Sequence, residues 1–369
     1  MRICILSAYN YWGRFDPERL YKETEGEDIQ IGGGETAMLQ IARSLAQRGH
    51  ETFLFYDIND PRKIEGVEFL PTAMSIPFIT NVQHDVLVSW DAPGIFRFAD
   101  RARARFMAFQ LNTTTVGVYD QVIDRYLHPS LWHAERYSTL YPEIDKKKQL
   151  SRITNGIDFT RYQVSPKVMR DPHRVIYSSS PDRGLHHLLR FWPRVVEQVP
   201  DAELHVYYDF ATWLHNDAEA KKVGLHLVTS DRADELRRYI ENPPEGVIFH
   251  GGIGQWELAK AQLKCSTMCY PCDPVQPTEG FSMTILEGIA AGLNVLTTDA
   301  DAFGELWSDQ PGVTMLPLPV NDDLWVAKLV ESLHKPPREG PQLNLAFSWA
   351  HLAERWEKEM LLCLRSPSR

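Results

Sequence analysis

A chain of 369 residues that is 43% hydrophobic and 24% charged has the composition of an ordinary soluble globular protein, which excludes collagen-like, disordered and membrane-spanning classes. The length favours two domains over one core, and a formal net charge of -10 argues against a nucleic-acid partner, because every phosphate approached is repelled. Five cysteines, an odd number, make no disulfide framework and suit a reducing compartment.

The apolar opening MRICIL is too short for a signal peptide and runs straight into polar sequence, so a cytoplasmic location is expected. Within it RICILS (2–7) reads as a buried strand. Residues 8–31 follow as a long connection rich in aromatic and acidic side chains, where a βα loop usually has about two to six residues. That segment reads equally as a lid over a ligand or as plain surface. Next comes a helix over 35–50, with Met38, Ile41, Ala42 and Leu45 on one face, and a strand over 51–56, which together make a βαβ unit. Strands at 85–90 and 105–110 continue the series. A second series starts at 174–179 with a strand, followed by helix 184–199, strand 202–208, helix 233–240 and strand 246–251. It continues with helix 255–264, strand 266–271, helix 282–292 and strand 293–298. The tail over 348–364 is helical.

Two such series predict an α/β chain of two doubly wound, Rossmann-like domains facing across a cleft. The expected bounds are 1–160 and 161–345, joined within 155–172 where periodicity stops and Asn-Gly and proline signals appear. Residues 346–369 are expected to return to the first domain. Ligands of open α/β sheets bind outside the carboxyl ends of the strands.

Charge is uneven. Lys plus Arg equals Asp plus Glu, at 21 each, over residues 1–170, so the net charge falls on 171–369. Residues 101–170 carry 12 basic and 6 acidic side chains, including RARAR (101–105) and KKK (146–148). That stretch reads as a solvated face or as a peripheral contact with anionic lipid on the inner face of a membrane.

The most informative stretch is PTEGFSMTILEGIAAG (277–292), which sets Glu279 and Glu287 around the start of an apolar helix. The first amides of that helix suit an anion such as a diphosphate. Eight residues along a helix span about 12 Å, the reach of an extended nucleotide sugar. Carboxylates repel phosphate, so each would accept hydrogen bonds from hydroxyls flanking it. The plainer reading makes Glu279 a helix-entry carboxylate and Glu287 solvent-facing.

Residues 278–306, TEGFSMTILEGIAAGLNVLTTDADAFGEL, resemble the Glu-x7-Glu signature of family 4 of the retaining glycosyltransferases, which have the GT-B fold. GGGETAMLQIARSLAQRGHET, HPSLWHAERY, ITNGIDFTRY, SSSPDRGLHHLL and VIFHGGIGQWELAKA agree in order, so the resemblance covers nearly the whole chain. It implies transfer of a sugar from a nucleotide-sugar donor to a hydroxyl of a glycan, lipid-linked or small-molecule acceptor, with no cofactor and no metal. By resemblance Glu279 holds the donor sugar, Glu287 the ribose, and Arg183 stands where the family has a diphosphate-neutralising lysine. Gly280, Phe281, Ser282, Gly251 and Gly252 fall on the donor side. Ser178 replaces a second basic residue common in the family. Gly33 and Gly34 belong to the amino-terminal glycine loop for acceptor or phosphate, and Gln110 and Asn112 replace a histidine found in many relatives. His128 and His133 read as structural. A non-catalytic nucleotide-sugar or glycan-binding protein is the alternative function, and a GT-B epimerase or phosphorylase a further one.

Two motifs are declined. Cys265, Cys269 and Cys272 mimic an iron-sulfur spacing, but they span a helix end and a buried strand. DAD (299–301) mimics a metal-binding Asp-x-Asp, yet it follows a late strand of the second domain.

Overall fold

The computed structural model of the protein describes residues 1–7, 16–22, 31–90, 92–108, 119–163, 168–342 and 344–365. These fall into two compact units, one of residues up to 158 together with 345–365, the other of residues 159–344.

The first unit carries, in order, β1 (Arg2–Ser7), α1 (Pro17–Lys22), α2 (Gly33–Gln47), β2 (Glu51–Tyr56), β3 (Arg62–Ile64) and β4 (Val67–Pro71). It continues with α3 (Ser75–Asn81), β5 (His84–Trp90), β6 (Ala102–Ala108), β7 (Arg125–Leu127), α4 (Leu131–Leu140) and β8 (Gln149–Leu150). The sheet order is β3-β4-β2-β1-β5-β6-β7-β8, parallel throughout except where β3 runs against β4 at the edge. Strand side chains alternate between faces. Ile3 and Ile5 therefore join one core with α2 and the carboxyl-terminal helix Trp349–Arg365, while Cys4 and Leu6 join a second core with Leu87, Met107 and Tyr137. Both faces are covered, which explains the continuous apolar reading of β1. In the terminal helix, Trp356 stacks on Trp90 with centroids 5.8 Å apart. Gly156 admits that helix, since a Cβ there would lie 2.7 Å from the Trp349 ring.

Strand β6 begins earlier than the sequence indicated. In RARARFMA the alanines point inward and the arginines outward, a period of two that the run of charge conceals. Arg103 pairs with Asp85 at 2.9 Å, Arg105 donates to the Ala99 carbonyl, and Lys148 is buried with its ammonium on the Asp120 carbonyl. These basic groups therefore have partners inside the unit. Of the long 8–31 connection, α1 is described. Its Tyr21 is buried, donates to the Leu39 carbonyl at 2.7 Å and packs on Phe69, so this part of the loop belongs to the core. No helix among the described residues is long and apolar enough to cross a membrane.

The second unit holds β9 (Arg174–Tyr177), α5 (Leu185–Val196), β10 (Glu203–Tyr207), α6 (Phe210–Lys222), α7 (Ser230–Glu241), β11 (Val247–Gly251) and α8 (Gln255–Lys264). β12 (Thr267–Tyr270), α9 (Met283–Ala290), β13 (Asn294–Thr298), α10 (Phe303–Trp307), β14 (Val313–Leu316) and α11 (Asp322–Leu333) follow. Every paired strand is parallel, in the order β11-β10-β9-β12-β13-β14. This is the doubly wound 3-2-1-4-5-6 arrangement, whose direction of winding reverses between β9 and β12. Helix α6 escaped the sequence reading because it buries only Phe210 and Asp217 and so shows no apolar stripe.

Candidate active site

The reversal point of a doubly wound sheet leaves a crevice at the carboxyl ends of its two central strands. In the second unit the segments there are 178–184, after β9, and 271–282, after β12. They interlock at Gly184, the N-cap of α5, which has φ 98° and lies so close to Pro271 that an added Cβ would sit 1.8 Å from the Pro271 carbonyl oxygen. A side chain is excluded both by the left-handed backbone and by the contact. Gly184→Ala is expected to lower stability by about 3 kcal/mol or more, read as a drop in the urea midpoint. A variant with an unchanged midpoint would show that the two loops are free to part.

Next to that contact Arg183 meets Glu279. Nη1 lies 2.9 Å from Glu279 Oε1, Nε lies 3.4 Å from Asp182 Oδ2, and Nη1 also contacts the Thr278 hydroxyl. Glu279 is 8% exposed. Burial pushes its pKa up to about 7, opposed by Arg183 and assisted by Asp301 and Asp182. Burial also works against the guanidinium, but Glu279 and Asp182 outweigh it and keep Arg183 charged. One cation thus serves two carboxylates, and the neutral form of Glu279 is accessible near neutral pH.

The helix expected after Gly280 and Phe281 is α9. Its N-cap is Ser282, whose hydroxyl accepts the Ile285 N–H at 3.2 Å, so one amide expected to meet an anion is already capped. Gly280 is buried, and Phe281 packs edge-on against Trp307 with centroids 5.1 Å apart. Ser178 follows β9; its carbonyl accepts from the Thr284 hydroxyl at 3.3 Å, and its own hydroxyl is buried without a hydrogen-bond partner among the described residues.

Glu287 is buried, which overturns the solvent-facing alternative. Its carboxylate faces Gln262 of α8 at 3.5 Å, and Gln262 in turn accepts from the Tyr162 hydroxyl at 2.9 Å. Burial raises the Glu287 pKa and the nearby Arg161 lowers it. A ribose bound here would compete with Gln262 for this carboxylate. Gly251 ends β11 with φ 80° and Gly252 is exposed beside it.

In the first unit, Gly33 and Gly34 form the first turn of α2, and the following Glu35 is buried with its pKa raised by that burial. His128 and His133 are buried with their Nδ1 atoms 3.0 Å apart. Gln110 and Asn112 lie outside the described residues, as do 8–15 and 23–30 of the long connection.

Asp182, Asp301, Gln262 and Arg161 were not assigned to the site from sequence. Asp182 adjoins Arg183, but nothing in a single sequence shows that Asp182 and Asp301 both act on Glu279, or that Arg161 and Gln262 both act on Glu287. The DAD motif does not converge: Asp299 Oδ1 accepts the Leu318 N–H at 3.3 Å, and Asp301 Oδ2 accepts the Glu279 N–H at 2.9 Å. The three cysteines are buried free thiols, and burial raises their pKa values, Cys265 to about 12, the reverse of what thiolate ligands need. His186, His187 and Asp273 each bring a ligand atom to within 4.8 Å of the others. The guanidinium of Arg232, however, contacts His186 Nε2 and lies 3.5 Å from Asp273 Oδ2, while His187 Nε2 lies 2.8 Å from the same carboxylate. A fixed cation already stands among these groups, and they read as an ion-pair network.

Comparison with known proteins bears on the fold. The sequence model of the family described as glycosyl transferases group 1 matches residues 173–335. No curated protein matches the sequence. Among solved structures, Anabaena HepE in complex with UDP superposes with a TM-score of 0.66 at 13% identity, covering 98% of this chain and 100% of that one. Sucrose-phosphate synthase from Thermosynechococcus elongatus gives 0.63 at 13% identity, over 98% and 99% of the two chains. WaaG, a glycosyltransferase involved in lipopolysaccharide biosynthesis, gives 0.61 at 14% identity, over 98% and 99%. Identities this low speak for a shared fold. The chain as a whole therefore has the GT-B fold, and its residues 173–335 match the sequence model of the glycosyl transferases group 1 family.

Proposed function

We propose that the protein is a retaining glycosyltransferase that takes a sugar from a nucleotide-sugar donor and passes it to a hydroxyl of a glycan, lipid-linked or small-molecule acceptor. The observation that carries this reading is the buried Arg183–Glu279 pair, at 2.9 Å, set at the reversal point of a sheet that matches the family. Arg183 meets the donor diphosphate and, with the amino-terminal amides of α9, stabilises it as it departs, which is the electrostatic task a metal would otherwise perform. Glu279, once protonated, releases Arg183 to the phosphates and is itself able to donate a hydrogen bond to the donor, or, ionised, to accept from a sugar hydroxyl. Glu287 receives the ribose hydroxyls in exchange for Gln262. Retention follows from likeness to the family, with the acceptor attacking on the leaving-group face. A peripheral lipid contact through residues 101–148 gains no support from Arg103, Arg105 and Lys148, which are already partnered.

The test is a thermal-shift panel of UDP, GDP, ADP, dTDP and their common sugars, on the wild type and Glu287→Ala, followed by turnover of a labelled donor in EDTA. One base series should raise the melting temperature of the wild type and lose that effect in the variant, because a ligand selective for the folded state stabilises it. Turnover that EDTA abolishes and magnesium restores would assign the diphosphate to a metal. Stabilisation without turnover of any donor would favour a nucleotide-sugar-binding protein.

A further inference from the structure

The turn after β13 holds Glu279 by its backbone. Asp301 has φ 50°, a left-handed conformation uncommon outside glycine, asparagine and aspartate. Its Oδ2 accepts the Glu279 N–H at 2.9 Å, and the N–H of its neighbour Ala302 donates to the Glu279 carbonyl at 3.2 Å. Both peptide groups of residue 279 are therefore gripped by two consecutive residues of one turn. The same turn leads into α10, whose Trp307 packs on Phe281, two positions beyond the gripped residue. A residue held at its N–H, at its carbonyl and through a neighbouring ring has a fixed Cα–Cβ direction, and here that direction brings the carboxylate to Arg183 at 2.9 Å.

We propose that Asp301 is the positioning residue for Glu279, clamping the backbone at 279 so that its carboxylate stays on Arg183 in the donor site. The proposal rests on the reading of Arg183 and Glu279 given above. Glycine and asparagine would adopt the conformation at 301 as well, so what aspartate adds to the turn is its carboxylate. That carboxylate accepts the Glu279 N–H at 2.9 Å. The charge of Asp301 acts in the same direction as Asp182 on Glu279, and Arg183 opposes them; Tyr177 at the end of β9 and Tyr270 and Cys272 at and after the end of β12 face the same carboxylate.

Two substitutions of the full chain separate the clamp from a plain structural role. Asp301→Gly removes the acceptor of the part-buried Glu279 N–H but relaxes the backbone, two opposing effects, so its melting temperature should change little while kcat falls roughly a hundredfold, the usual consequence of a small misplacement. Asp301→Asn keeps an acceptor oxygen and tolerates the left-handed backbone, so it should recover most of the turnover and move the Glu279 titration to lower pH by removing a neighbouring negative charge. A glycine variant with wild-type turnover overturns the proposal. So does one whose loss of folded protein accounts for its loss of activity, or an asparagine variant as impaired as glycine. If the wild type turns over no donor, the reading of the site fails, yet the clamp is still decided. The Glu279 midpoint can then be followed as the difference in pH-dependent melting between each variant and its counterpart that also carries Glu279→Gln; asparagine and glycine both remove the charge but only glycine removes the clamp, so equal midpoints in the two variants overturn the proposal.

Discussion

Arg183→Ala should cause the largest loss of both stability and activity of any single substitution at the site. The guanidinium is the one cation within ion-pair distance of Glu279 and also touches Asp182 among the described residues. Removing one partner of a buried pair leaves an uncompensated charge, which costs about 3–5 kcal/mol. Glu279 escapes part of that penalty by taking up a proton, because its pKa already stands at about 7 beside the arginine and rises further without it. The destabilisation should therefore be largest at alkaline pH and shrink under mildly acidic conditions. Urea denaturation of wild type and variant at two pH values reads the difference directly, and a pH-independent loss would mean that Arg183 supports packing more than charge. Turnover should fall by about 10²–10³, the usual effect of deleting one preorganised donor at a departing oxyanion. Arg183→Lys should recover the stability better than the rate, since a point charge replaces a planar fork.

Glu279→Gln should flatten the stability profile between mildly acidic and neutral pH. The carboxyl has a pKa of 4.5 when unperturbed and about 7 in the folded protein, so the folded state binds its proton more tightly than the unfolded state does. The resulting stabilisation is fully present below the unfolded pKa and is lost as pH rises through the folded one, a change of about 3 kcal/mol. Glutamine does not titrate and removes that slope. Denaturant midpoints across the interval, compared for the two proteins, check it; parallel slopes would place the titration on another group. Turnover should fall by about 10²–10³, because a fixed amide cannot alternate between the ionised and protonated forms.

The alternation of strands and helices was legible because each buried parallel strand is a short apolar run and most of the helices carry an apolar stripe. The reading failed where those signals are absent. Helix α6 buries two side chains, and β6 alternates arginine with alanine. The spacing of Glu279 and Glu287 marked the start of α9, and the resemblance pointed to Arg183, which the fold brings to within 2.9 Å of Glu279. Neither located Asp301 or Gln262, which reach Glu279 and Glu287 through the fold, or the inward turn of Glu287. Both aspartates of the DAD motif accept backbone hydrogen bonds, and Asp301 grips the backbone of a site residue.

The first unit is discontinuous, and this shapes how the chain is made. Trp349, Leu352, Trp356 and Met360 belong to the same apolar core as Ile3, Val86 and Trp90. While residues 159–344 are being synthesised, a span of roughly ten to forty seconds at about 5–20 residues per second, that core lacks one wall. Among the described residues the second unit is contiguous, over 159–344, and can fold as soon as it emerges, whereas the first must wait for the final helix with its apolar surface open to neighbouring nascent chains. Premature termination before Trp349 would thus damage the half of the protein that was translated first, and the nascent first unit is where a chaperone would be most needed.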